Sequence, residues 1–288
     1  MATITPTPKT MITLTATLTS PLHHGAGASG NTSLLRTQDV VQPDGTVARV
    51  PFLSAASIRH GLRDALAWHL AHTIGIKEGS LTKTAVDLLW TGGAVTSTGA
   101  RTDLDMMRRV EEHLPALAML GYAAKSDIIT GTLRASDMIL ACAENDHRLP
   151  EALRGRRRAA AYRSEEFGTR HDQSASPVGR YLDLATDTGA TAQMIWDTQV
   201  IATGAELHGD LSLTPAATDQ HHTALGAALA LWAPDGQAML GAKTGQGMGR
   251  ATITGPDWAE CATHLDTWTT HVETHADDIR ALITDLGQ

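Results

Sequence analysis

The chain has 288 residues, a formal net charge of −8, 42% hydrophobic residues and 19% charged ones. It is too apolar and too lightly charged for a disordered polymer, and long enough to bury a substantial core as one enlarged domain or two small ones. No run of about 18 apolar residues is present, which excludes a membrane-spanning helix, and the start, MATITPTPKT, lacks the pattern of a secretory signal.

MITLTATL (11–18) alternates apolar residues with threonine, which predicts a half-buried strand. A glycine-rich loop is expected over His23–Gly30. LLRTQDVV (34–41), the turn Pro43-Asp44-Gly45 and VARVPFL (47–53) predict a β-hairpin. From Ser54 the period becomes helical, with Ile58, Leu62, Ala65, Leu66 and His69 on one face. Further helical stretches are expected over 81–90 and 103–120, and a strand over 130–143. Residues 144–190 have many Arg, Ser and Gly and no steady period, so a long irregular insertion is expected there. QMIWDTQVIA (193–202) and AELHGDLSL (205–213) read as strands joined at Thr203-Gly204. Leu225, Ala228, Leu229 and Trp232 mark a helix face. AMLGAKTGQGMGRATIT (238–254) reads as a strand broken by a glycine-rich loop. One last helix is expected from Asp257, with Glu260 three residues on as in a capping box. No regular βαβ rhythm is visible, which points to an α+β sheet with helices on one side.

Charge is unevenly placed. Residues 1–150 are neutral, with 13 basic and 13 acidic side chains; 151–180 carry +3, and 181–288 carry −11. The most basic run is Arg154, Arg156, Arg157 and Arg158, followed by Arg163 and Arg170. It suits either a solvated surface or a polyanion.

Three groups of residues could carry chemistry. The helix opening SAASIRHGLR places Arg59 and Arg63 four apart near a positive helix end, where two cations are unfavourable unless an anion joins them. Asp64 is a partial internal answer. GAKTGQGMGR (241–250) spaces glycines closely between Lys243 and Arg250, so a backbone could approach a polyanion, although a bulged hairpin would also explain it. It matches neither a Walker loop nor a dinucleotide fingerprint. His264, His271 and His275 flank the apolar stripe Trp258, Cys261, Leu265, Trp268, Val272, Ile279, Leu286. The glutamate of HVETH is misplaced for a zincin, so no metal is expected. Cys142 and Cys261 lack zinc-knuckle spacing and read as small buried hydrophobes.

Taken in order, HHGAGASG after the first strand, the hairpin running into VPFLSAASIRHGLR, and the late GAKTGQGMGR resemble the RAMP superfamily of CRISPR proteins. The tract NTSLLRTQDVVQPDGTVARVPFLSAASIRHGLR, with QMIWDTQVIATGAELHGDLSL and LGAKTGQGMGR, is most similar to the type IV backbone subunit that coats guide RNA. Ala55 and His60 stand where the family's strand-to-helix turn commonly has glycine.

The resemblance implies a single domain over 1–288 with a modified ferredoxin-like (RRM) palm, helical fingers and a β-hairpin thumb. Helical fingers would occupy about 60–128, and the Arg-rich insertion at about 144–192 is a candidate for thumb or finger. It implies a cytoplasmic, non-catalytic subunit with no cofactor and no membrane. Copies would polymerise head-to-tail along guide RNA (crRNA), with other CRISPR effector subunits, and target nucleic acid would pair with the guide. The RNA contacts implied are Arg36, Ser57, Arg59, Arg63, Lys243, Thr244, Gln246 and Arg250; Arg156 and Arg157 are added from charge alone. Two other readings stand beside it. One is a type III-like subunit that cleaves target RNA through Asp39. The other is a small phosphate-ligand enzyme using both glycine-rich loops and His23/His24.

Overall fold

The computed structural model describes residues 11–95, 102–170 and 194–287. The threonine alternation makes β1 (Met11–Leu18) a strand with one dry face, on which Leu14, Ala16 and Leu18 are buried. There follow β2 (Gly25–Ser29), β3 (Thr32–Leu35), β4 (Thr37–Val41) and β5 (Val47–Leu53). Helix α1 (Ala55–Thr73) leads to α2 (Lys83–Val86), a π-turn (Asp87–Thr91), α3 (Leu104–His113) and α4 (Pro115–Leu120). Short strands β6 (Tyr122–Ala124), β7 (Asp127–Ile129), β8 (Leu133–Ala135) and β9 (Met138–Leu140) come next. After three short 3-10 turns come β10 (Arg163–Arg170), β11 (Met194–Ile201), β12 (Glu206–Leu213) and α5 (Asp219–Trp232). The chain finishes with β13 (Gln237–Met239), β14 (Arg250–Thr254), α6 (Trp258–Thr274) and α7 (Ala276–Leu286).

The main sheet runs β13-β14-β1-β12-β9-β5-β4, with β8 also against β12. Within it, β1–α1–β9 and β12–α5–β14 are two βαβ units, each holding a strand of the other between its own two strands. The resulting order β14-β1-β12-β9, antiparallel throughout, is the split-βαβ topology of the ferredoxin-like fold. Helices α1 and α5 join one core with the sheet: Ile58, Leu62, Leu66, Leu225, Ala228 and Leu229 are buried together with Leu14, Ala16 and Leu207. A second sheet, β10-β11-β3-β2, contains one parallel pairing, Asp197↔Thr32 and Thr198↔Ser33.

Most expected elements form, and the departures have local causes. GAGAS is a strand instead of a loop, because its backbone pairs with β3 although its residues have little β-propensity. The expected strand over 130–143 is split at Ser136-Asp137 into β8 and β9, both against β12. The expected irregular insertion is partly regular: Arg163–Arg170 pairs along its whole length with β11. Residues 171–190 of that insertion lie outside the described residues. The range 60–128 expected for helical fingers takes in most of α1, which belongs to the ferredoxin-like core, and the described residues from α2 into β7.

The final helix breaks at His275 (φ −102°, ψ 19°). Thr263, Thr267, Thr269, Thr270 and Thr274 each turn a hydroxyl onto the carbonyl four residues back, which weakens α6 along its length. Asp277 and Asp278 then supply the acidic first turn that suits a new helix start.

Helix α1 crosses α5 at Gly61, where an added Cβ would lie 2.7 Å from Nε1 of the buried Trp232. Helix propensity alone favours alanine there by about 1 kcal/mol, but overpacking a fixed indole costs about 1–3 kcal/mol. Gly61→Ala is therefore expected to lower the urea midpoint of unfolding; a raised midpoint would show that the helix crossing has slack.

Candidate nucleic-acid interface

The helix start and the glycine-rich loop do meet, through Ser57 and Thr244 but not through the two arginines. Helix α1 presents two faces. Ser57, His60, Gly61 and Asp64 recur at the helical period and line an open groove of about 510 Å³ with Trp232, Gly241 and Thr244. Arg59 and Arg63 lie round the helix from them and line a different groove with Gly121, Gly131 and Arg134.

The two arginines point into the protein. Arg59 donates to the carbonyl oxygens of Leu133 at 2.7 Å and Leu120 at 2.5 Å, and Arg63 to that of Gly121 at 2.7 Å. The carbonyls of Leu120 and Gly121 lie at and just after the C-terminal end of α4, where a cation is favoured, and that of Leu133 starts β8. Arg63 is only 9% exposed; burial, with Arg59 nearby, lowers its guanidinium to about 10, which still leaves it charged. As placed, both brace the fold beside a groove of their own, apart from the glycine-rich loop.

The anion site expected at the start of α1 is already filled from within. Asp137 accepts from the N–H of Ala55 at 2.8 Å, Ser54 Oγ accepts from the N–H of Ser57, and His24 Nε2 accepts from the N–H of Ser54. Asp137 is 82 residues from Ala55, so no local pattern announces it.

Lys243 behaves otherwise. Its backbone is left-handed (φ 60°, ψ 28°), a conformation that costs a side-chain-bearing residue about 1 kcal/mol. Its ammonium donates to Ser33 Oγ at 2.9 Å and Thr198 Oγ1 at 2.5 Å, and so ties the loop to the second sheet. The loop is fixed below by the N–H of Ala242 donating to the carbonyl of His23 at 2.8 Å. His23 in turn donates from Nδ1 to the carbonyl of Gln199. Gln246 is exposed at the end of a 3-10 turn, and Thr244, at its start, is half-buried beside the groove. Ser33, Thr198 and His23 thus hold the loop; only His23 stood out in the sequence, through its glycine-rich context.

The other candidates lie apart from one another. Arg36 is exposed between β3 and β4, its N–H bonded to the carbonyl of His24, and Arg250 is exposed at the start of β14. Arg156 pairs with Glu206 at 2.6 Å, so part of its charge is neutralised; Arg157 is exposed, and Arg163 reaches the carbonyl of Arg49. Asp39 faces solvent opposite Arg49 at 3.6 Å, both well exposed, in register across the β4–β5 hairpin. Such a pair contributes at most about 1 kcal/mol. Cys142 and Cys261 are buried free thiols, pushed by burial up to about 12 and about 11. No helix among the described residues is long and apolar enough to cross a membrane.

Fold and site together define a ferredoxin-like α+β protein with a glycine-rich loop anchored across two sheets. A chain of the Type IV-B CRISPR Complex has the same fold: the two are 20% identical, the match covers 87% of this chain and 92% of that one, and the TM-score is 0.59. No protein-family model and no curated protein matches the sequence.

Two outcomes follow. Arg63→Met strands the α4 carbonyls and is expected to cost about 1–3 kcal/mol in chemical denaturation. Burial also holds His24, His69 and His271 below their ordinary 6.5, with Arg36 adding to the effect at His24. These imidazoles stay neutral in the folded chain while the unfolded chain takes up protons. Their stabilisation is thus complete above pH 6.5 and lost as pH falls through the lowered folded values. Melting temperature should drop on acidification, and less steeply in His24→Gln.

Proposed function

We propose that this protein is a non-catalytic, RNA-binding backbone subunit of a type IV-like CRISPR ribonucleoprotein, polymerising head-to-tail along guide RNA by sequence-independent contacts. The observation that carries the reading is the fold shared with a chain of the Type IV-B CRISPR Complex over nearly the full length of both. Other subunits of such a complex would be its partners, and target nucleic acid would pair with the guide.

The interface proposed is the loop Lys243–Gly247 with Ser57, Thr244, Gln246 and the exposed Arg36. Gly245 supports this choice. Its φ is not in the left-handed region, and an added Cβ would meet nothing within 4 Å. Neither strain nor internal packing calls for glycine there, whereas close approach of an outside backbone would. Exposed carboxylates at and along α6 (Asp257, Glu260, Asp266, Glu273), which packs on α5, and on α7 (Asp277, Asp278), which packs on α2 and α3, would not oppose RNA on the loop. Arg59 and Arg63 would contribute by holding α4 against α1, not by touching phosphate.

The test is titration of the purified chain with single-stranded RNA over a range of salt. Gly245→Leu should leave stability within about 0.5 kcal/mol while weakening binding at least tenfold, about 1.4 kcal/mol. Lys243→Met should flatten the salt dependence by about 0.7 in the logarithmic slope, one phosphate contact on a single strand. Negative-stain images with guide RNA should show helical particles. Saturable nucleotide binding with no RNA affinity would instead favour the small phosphate-ligand reading of the same loops.

A further inference from the structure

A cluster far from the glycine-rich loop has the composition of a metal site. His113 ends α3, His275 occupies the break between α6 and α7, and Asp278 lies in the first turn of α7. One donor atom from each falls within 4.8 Å of the other two. The rings of His113 and His275 are 5.2 Å apart between centroids, and His275 Nδ1 is 3.9 Å from Asp278 Oδ2. The Nδ1 atom of His113 is shielded from solvent with no hydrogen-bond partner among the described residues, a costly state for a polar atom.

We propose that His113, His275 and Asp278 bind one divalent transition-metal ion. Two imidazoles and a carboxylate are the donor set of zinc sites that keep a fourth position for water. Metal–donor bonds of roughly 2.1 Å place tetrahedral donors roughly 3.4 Å apart, so binding draws the three groups inward by about an ångström. The exposed Asp278 and the non-helical His275 have that freedom.

His271 is the positioning residue. Its Nε2–H donates to the carbonyl of His113 at 3.3 Å, and its ring lies 4.7 Å from that of His275 and stacks on Trp268. It packs against the His275 ring and fixes the backbone of His113 at the end of α3, without being one of the three donors. The ion would clamp the end of α3 to the α6–α7 break, where no covalent bond or proline fixes the angle between the two helices.

Tag-free protein, stripped with chelator, would be titrated with Zn²⁺ by calorimetry and with Co²⁺ by visible absorption. One ion per chain is expected, with the intense d–d bands of a four-coordinate Co²⁺ and a higher melting temperature that chelator reverses. Asp278→Asn, at an exposed position, and His275→Ala should each lose stoichiometric uptake while keeping the circular dichroism of the parent. His271→Gln should still bind one ion but roughly 10–100-fold more weakly, with altered Co²⁺ bands. His264→Ala, on the same helix and paired with Glu260, should bind like the parent. No stoichiometric uptake by the parent chain, or uptake unchanged in Asp278→Asn, would overturn the proposal.

Discussion

The structure depends on how the chain leaves β1. That strand has neighbours on both sides, so the residues after it must thread between the starts of β12 and β14, and each step is pinned there. The N–H of Leu18 donates to Ala205, that of Thr19 to Arg250 and that of Leu22 to Ile201; in return Pro21 and His23 accept from Gly249 and Ala242. With those of Ser20 to Arg250, Gly204 to Leu18 and Ile201 to Leu22, eight backbone hydrogen bonds within six residues leave this segment little freedom. The glycine-rich loop rests directly on it and takes its position from the centre of the sheet rather than from its own flexible sequence.

The cations illustrate how fold overrides composition. Arg59, Arg63 and Lys243 carry the same charge and stand in equally suggestive contexts. The arginines find free carbonyls at the end of α4, where planar guanidinium groups can bridge several acceptors. Lys243 finds only two hydroxyls, neutral partners that position an ammonium without cancelling its charge. A carbonyl cluster absorbs a cation into the fold; a pair of hydroxyls presents it.

Periodic elements were legible because their cause is local. MITLTATL and AELHGDLSL alternate, and Ser54 caps a helix whose apolar face recurs as expected. The break at His275 was hidden because the apolar stripe from Trp258 to Leu286 passes through it in phase; the pair Asp277-Asp278 was the available sign. The strand GAGAS could not be read, since its order comes from β3. The directions of Arg59 and Arg63 depend on carbonyls some 60 residues away, and the partner of the α1 start is Asp137, 82 residues from Ala55. Long-range partners of this kind leave no periodic trace in a single chain. Ser57, Thr244 and Lys243 stood out in the sequence because glycine spacing and a helix cap are local signals.

The pair β10 and β11 is held from one side. Its described arms run from Arg163↔Ile201 to Arg170↔Met194, with Phe167 exposed along them, and β3 meets β11 part-way along, at Asp197 and Thr198. Lys243 bonds both strands at that meeting, through Ser33 on β3 and Thr198 on β11. A sideways load on the arms is therefore shared between the bonds of β11 and this ammonium, and through Lys243 the glycine-rich loop would register part of it.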